Sequence, residues 1–335
     1  MKVALIGYYG FGNFGDELMC KAFSENIKAN KVVVFSNTEL LDDHDGRVKY
    51  YKPTRRNRIF ELRNVDKVIW GGGTCFYSNP GFLSLFFNFI FIRLILRKEF
   101  YFIGVGQGNF KSWLHKICYK LILKLSNGIY FRDKYSLHAA GKNNRSMRLT
   151  ADPVYLLDFE NDIQKRTSIT KISVNLLGDI NNNKLIDFYV AQIKSILHDD
   201  KDLIINLLPA QTGSNGEYMF LNVIKRKLNS PRVKLLNPQQ PEDVLDYLTK
   251  MDFHFGMRLH LAVFSDLYNI PNIAINYSPK IKYYLKSCGQ DERLKDVYEL
   301  INFSMITSVF KNYQRPESYI KKQKEIINKT LANIL

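Results

Sequence analysis

Cysteine is scarce in this chain: there are four in 335 residues, at Cys20, Cys75, Cys118 and Cys288, and none forms a C-x-x-C pair. That spacing argues against a disulfide framework or a cysteine-rich zinc site, and for a reducing compartment. Acidic residues are also few, 32 Asp and Glu against 48 Lys and Arg, leaving a formal net charge of +16. No apolar run reaches the ~18 residues of a membrane-spanning helix. The opening run Val3-Ala4-Leu5-Ile6 passes straight into Gly7 and is too short for the core of a secretion signal. A G-x-x-x-x-G-K-[ST] phosphate loop, a solenoid repeat and low-complexity tracts are all missing. What is present is globular in type, 46 % hydrophobic, 13 % aromatic and 24 % charged. These features imply a cytoplasmic protein whose length fits two domains of ~100–200 residues each. The basic excess fits a nucleic acid, an anionic membrane face or a phosphorylated substrate as partner, or simply a solvated lysine surface.

Short apolar runs alternate with stretches of helical length. Lys2–Gly7, Lys31–Asn37, Asp66–Trp70, Glu99–Val105, Gly128–Phe131 and Arg148–Asp152 read as strands. The pattern restarts with Ile172–Leu176, Leu203–Leu208, Val233–Leu235, Phe253–Phe255 and Ile273–Ile275. Nearly continuous apolar strands separated by helices indicate parallel sheets covered on both faces. The expected organisation is an N-terminal α/β domain over 1–159, a polar linker over 160–170 and a second α/β domain over 171–314. A helix over 315–335 follows, with Ile320, Ile327, Leu331 and Ile334 at helical spacing.

Three strands of the first half run into glycines: Gly7 to Gly15, Gly71-Gly72-Gly73-Thr74, and Gly104-Val105-Gly106-Gln107-Gly108. Ligands of open α/β sheets bind beyond the carboxyl ends of the strands, and glycines there let a backbone approach them. Gly10, Gly12 and Gly15 form a G-x-G-x-x-G, but out of register with the strand end at Gly7, which argues against a dinucleotide. Asp16 and Glu17 follow where a helix, Leu18–Ile27, is expected to begin. They read equally as acids favouring a helix dipole or as a proton acceptor at the sheet edge. Asp43-His44-Asp45 reads as a polar turn. Arg132, followed by Asp133 and Ser136, is either a bidentate clamp for an anion or a local ion pair. Asp152-Pro153 reads as structural. In the second half, Gly256-Met257-Arg258-Leu259-His260 and Tyr277-Ser278-Pro279-Lys280 each follow a strand and offer a cationic, proton-competent edge. His254, inside its strand, is assigned to packing.

Together these motifs resemble the polysaccharide pyruvyl transferase family, bacterial enzymes that build pyruvate ketals on cell-surface glycans. The resemblance rests on G-Y-Y-G-F-G-N-F-G-D-E at 7–17, G-G-G-T at 71–74 and R-D-x-x-S at 132–136. It continues through D-P-V at 152–154, G-M-R-L-H at 256–260 and Y-S-P-K at 277–280. The chain departs from the family's habit at Gly108-Asn109-Phe110, where proline is common. It departs again after Leu207-Leu208-Pro209, where an Asp is usual and Glu217 lies nearby. The resemblance implies two Rossmann-like domains in a GT-B-like arrangement, with the active site in the interdomain cleft. The first domain is then the acceptor side and the second the donor side, with the last helix returning toward the first domain. It implies transfer of pyruvate from phosphoenolpyruvate onto two hydroxyls of a glycan sugar or its lipid-linked precursor, with release of phosphate. No metal and no cofactor beyond that donor are implied. By the same resemblance His260 is the acid–base group at the enol and Asp16 activates the acceptor. Arg132, Arg258 and Lys280 suit a donor that carries roughly −2.5 to −3 charges near neutrality. Gly10, Gly12, Asn13, Gly15, Glu17, Gly72, Gly73 and Thr74 complete the expected substrate-binding set. The alternative on the same fold is a sugar-nucleotide glycosyltransferase. Nucleic acid is not expected as a partner, because no nucleic-acid motif accompanies the basic clusters.

One segment remains, Phe82–Leu96, whose polar residues are Ser84, Asn88 and Arg93. It reads as a helix apolar nearly all round, too short to span a bilayer. The next helix, Trp113–Leu125, carries Lys116, Lys120 and Lys124 at i, i+4, i+8. The pair reads either as core plus solvated lysines, or as a peripheral attachment to the anionic inner face of the plasma membrane.

Overall fold

The structure, a computed structural model, describes residues 1–38, 46–141, 146–158, 166–212 and 216–335. Asp43-His44-Asp45 and residues 160–165 of the expected linker lie outside these. The chain forms two compact units. The first comprises Met1–Phe11, Gly15–Leu157 and Lys321–Leu335; the second comprises Gly12–Phe14 and Asp158–Ile320.

The first unit is built on strands β1 (Lys2–Ile6), β2 (Lys31–Phe35), β3 (Val48–Tyr51), β4 (Lys67–Gly71), β5 (Thr74–Phe76), β6 (Glu99–Gln107), β7 (Gly128–Phe131) and β8 (Met147–Leu149). All pair in parallel, in the order β3-β2-β1-β4-β6-β7-β8, with β5 alongside β6. Parallel strands need crossovers, and helices supply them. The core under the helices Pro80–Ile90 and Trp113–Leu125 is aromatic, with Phe76, Phe82, Phe89, Phe100, Phe102 and Phe131 all buried. Their rings meet in tilted and edge-on pairs such as Phe100–Phe102 at 4.9 Å. The terminal helix, Glu317–Ile334, contributes Ile327, Leu331 and Ile334 as buried residues. Thr330 and Thr150 share a buried hydroxyl–hydroxyl hydrogen bond of 2.7 Å.

The second unit carries β9 (Lys171–Asn175), β10 (Ile204–Leu207), β11 (Val233–Leu235), β12 (Phe253–Gly256), β13 (Asn272–Ile275) and β14 (Leu294–Lys295). These are again all parallel, in the order β11-β10-β9-β12-β13-β14. In both units the first strand is central and the order reverses beside it. That is the doubly wound Rossmann order, whose crevice at the reversal point takes ligands.

The strands β3, β5 and β14 go beyond the sequence reading. Val48-Lys49-Tyr50-Tyr51 has one buried residue, and β14 is two residues long, so neither shows a buried apolar run. Arg148–Asp152 was expected as one strand. The structure ends it at Leu149 and gives Pro153–Leu156 to a 3₁₀ turn capped by Asp152. The first helix is Phe14–Asn26 rather than Leu18–Ile27, because a glycine at position 15 reads as loop yet sits in the first turn. Phe82–Leu96 divides into the α-helix Pro80–Ile90 and a π turn, Phe91–Ile95.

Candidate functional site

At the reversal point of the first unit, Asp16 lies in the first turn of the helix Phe14–Asn26. It faces the turn that leaves β4. Gly72 and Gly73 there adopt φ of +78° and +75°, a region that L side chains avoid. A Cβ on Gly72 would lie 2.4 Å from Met19 Sδ, and one on Gly73 would meet only Asp16 Oδ1, at 3.1 Å. Asp16 and the Gly73 backbone thus lie beside one another. Thr74 follows, its hydroxyl accepting from Arg132 Nη2 at 3.3 Å.

Arg132 is held more tightly than the sequence suggested. Its side chain is 6 % exposed and Nη1 donates to Asp152 Oδ2 at 2.8 Å, with Asp133 Oδ2 at 3.9 Å from Nε. Burial alone would lower the guanidinium pKa, but the carboxylates of Asp152, Asp133 and more remotely Asp16 outweigh it and raise it. Three acids thus surround one arginine, so its charge is offset within the first unit. Asp133 also caps the helix Lys134–Ala140, accepting from the Ser136 N–H at 2.7 Å.

Glu17 serves the loop. Its buried carboxylate accepts the Gly10 N–H at 2.8 Å and the Phe11 N–H at 3.0 Å, so it shapes the turn. Gly10 is required by close approach, since a Cβ would come 2.3 Å from Asn37 N. Gly15 is helical and buried. Gly12 and Asn13 group with the second unit. There the Thr212 N–H donates to Gly12 O at 2.8 Å, and Asn13 bridges Gln211.

The second unit gathers its cations at one sheet edge. Neighbouring strands β12 and β13 each turn directly into a helix, Leu259–Leu267 and Pro279–Cys288. Arg258 is the N-cap of the first; His260 is its second residue, and Lys280 is the second residue of the other helix. Two adjacent helix N-termini, each with a positive partial charge, favour an anion. Lys280 is exposed and His260 half-buried. Arg258 is aimed by Glu217, whose Oε2 accepts from Nη2 at 2.7 Å and Nε at 3.2 Å. Glu217 Oε1 accepts from Asn175 Nδ2 at 2.5 Å and from the Ala210 N–H at 2.8 Å. That carboxylate is 2 % exposed. Glu217 thus links the ends of β9 and β10 to the arginine after β12. Asn175 was not singled out in the sequence, and Glu217 entered only as an acid near the position where the family usually has an Asp, in what looks like any first helical turn. Asp152 was read as structural, and the structure adds its grip on Arg132.

Two units of Rossmann order, one with a carboxylate edge and one with a cationic, histidine-bearing edge, define a GT-B-type α/β protein. Solved structures of the same fold include a putative UDP-N-acetylglucosamine 2-epimerase from Listeria monocytogenes, with TM-score 0.65 and 12 % identity over 100 % of this chain and 96 % of that one. Another is the UDP-GlcNAc 2-epimerase of Methanocaldococcus jannaschii, with TM-score 0.62 and 10 % identity over 100 % and 99 %. At such identities the likeness is one of fold. The chain belongs to the polysaccharide pyruvyl transferase family, whose profile matches residues 13–279. It is 23 % identical over 326 residues to the amylovoran biosynthesis protein AmsJ of Erwinia amylovora, covering 82 % of this chain and 74 % of that protein. No helix among the described residues is long and apolar enough to cross a membrane.

Proposed function

We propose that this protein transfers a pyruvyl group from phosphoenolpyruvate to a sugar of an exopolysaccharide, or of its lipid-linked precursor, at the cytoplasmic face of the membrane. Within the family, the observation that carries this reading is the second unit's edge, where Arg258, His260 and Lys280 stand on two neighbouring helix N-termini. A donor bearing a carboxylate and a phosphate suits it in charge. A proton reaches the methylene carbon of the enol through His260 and makes it a methyl group. The first sugar hydroxyl adds to the central carbon, the bond from that carbon to the phosphate oxygen breaks, and the second hydroxyl adds to close the ketal. Of the two hydroxyl protons lost, one balances the new methyl C–H and the other leaves with phosphate. Asp16 takes the proton of an attacking hydroxyl. Arg132, neutralised by Asp152, holds the carboxylate and Thr74 at the acceptor edge rather than clamping the donor.

Calorimetry separates this from a sugar-nucleotide reading. Phosphoenolpyruvate binds, UDP-sugars do not, and Lys280→Ala weakens the donor by about ten- to hundredfold, the value of one charged hydrogen-bonding partner. Tight UDP-sugar binding with no heat from phosphoenolpyruvate overturns the proposal.

A further inference from the structure

The first unit carries a face that its own fold does not use. The helices Pro80–Ile90 and Trp113–Leu125 lie side by side over the sheet. The Phe82 ring meets that of His115 at 5.3 Å, and Arg93 Nε donates to Leu125 O at 2.8 Å, so the contact runs the length of both helices. Each buries one stripe: Phe82, Leu85 and Phe89 on the first, Cys118, Tyr119 and Ile122 on the second. The second helix, and the first together with the π turn that ends it, also show apolar residues to solvent. Phe87 is 65 % exposed and Ile95, in the π turn, 68 % exposed, with Leu94 beside it. Trp113 is 72 % exposed, and Ile117 and Leu121 continue its stripe.

Charge follows the same face. Lys116, Lys120 and Lys124 are exposed among Trp113, Ile117 and Leu121. The helix Arg55–Arg63 is tied to this layer by Arg58 Nη1, which donates to Asn88 Oδ1 at 2.8 Å. It adds exposed Arg55, Arg56 and Arg63, with Phe60 outward. Across these helices and the π turn the one acid is Glu61, which is buried.

We infer that this three-helix face docks on an anionic lipid bilayer, its apolar stripes entering the headgroup boundary and its lysines and arginines meeting lipid phosphates. Interfacial amphipathic elements combine aliphatic and tryptophan side chains with basic flanks in this way. A second copy of the chain is disfavoured, because it would bring one basic face against another. Nucleic acid would use the cations but not the aliphatic Leu94, Ile95, Ile117 and Leu121. The inference stands on the surface alone and goes beyond the donor chemistry.

Co-sedimentation tests it on the full chain. The protein pellets with phosphatidylglycerol-containing vesicles at low salt, less so as salt rises, and stays in solution with phosphatidylcholine alone. Trp113 emission shifts to the blue on binding, and Trp113→Phe abolishes that shift. Lys116→Glu, Lys120→Glu and Lys124→Glu together lower the vesicle partition coefficient by about a hundredfold. These positions are exposed, so the thermal melt and phosphoenolpyruvate binding remain as in the parent chain, which keeps failure of docking distinct from failure of the donor reading. Recovery in the supernatant with anionic vesicles at low salt overturns the inference. So does equal retention on RNA and on vesicles with no tryptophan shift.

Discussion

His254 and His260 stand six residues apart and differ in everything that matters chemically. His254 lies in β12 and is buried, with Nδ1 2.7 Å from Ser173 Oγ. Burial pushes its pKa down to about 3, against a smaller upward effect of Ser173. The unfolded chain, with an ordinary histidine near 6.5, therefore binds the proton first as pH falls. Stability from this residue is fully present above pH 6.5 and is lost through the window from 6.5 to about 3, at about 1.4 kcal/mol per pH unit. Urea melts across that range should show the slope, and His254→Gln should flatten it, at a cost in stability near neutrality. An unchanged slope in the variant would remove His254 as its source. His260 heads a helix at the cationic edge, and His260→Gln is expected to fold normally while losing about 10²–10⁴ in turnover. Steady-state rates alongside a melting curve check both halves. The two histidines were separable in the sequence, because one falls inside an apolar strand and the other just past its end. Glu217 was not, since its partners Asn175, Ala210 and Arg258 come from three strand ends that meet only in the folded sheet. Glu217→Gln cannot accept from all of them, and should cost about 1.5–3 kcal/mol in urea melts while weakening donor binding.

The helix Leu259–Leu267 shows how an element is aimed from its far end. Asp266 is fully buried and accepts from Arg293 Nη1 at 2.8 Å and Nη2 at 3.0 Å, from Tyr284 at 2.6 Å and from Tyr313 at 2.9 Å. Asn272, on β13, donates to it at 2.8 Å. The helix that begins with Arg258 and His260 is thus fixed to β13, to the helix Pro279–Cys288 and to the segments before β14 and after the helix Phe303–Asn312. Removing one partner of a buried ion pair costs about 3–5 kcal/mol. Asp266→Asn should show a loss of that order in denaturant melts, and a loss within error of zero would mean the cluster does not hold the helix. Nothing local marks Asp266, and its partners are scattered over some fifty positions. Elements with a dense apolar signal were legible: β7 and the helix Trp113–Leu125 fall on the residues expected. The short strands β3 and β14 were not, because neither carries a buried apolar run and backbone pairing to a neighbouring strand supplies what the side chains do not.

At the scale of the molecule, charge is unevenly distributed. The net +16 includes a three-helix face with one buried acid and, in the second unit, an edge with Arg258 and Lys280. The edge of the first unit is acidic, with Asp16, Asp133 and Asp152 around Arg132. The sequence offered Arg132, Arg258 and Lys280 as one cationic set. The fold sets Arg132 apart, because Asp152, which follows β8, joins its neighbour Asp133 beside it. A protein so divided should release phosphate from phosphoenolpyruvate only when an acceptor hydroxyl pair is present. The most direct measurement supplies [3-¹³C]phosphoenolpyruvate and lipid-linked glycans extracted from the source strain lacking this gene, and follows the products by NMR. The account predicts a new ketal methyl signal and inorganic phosphate in equal amounts, both abolished by His260→Gln. Intact phosphoenolpyruvate beside consumption of an added UDP-sugar would contradict it.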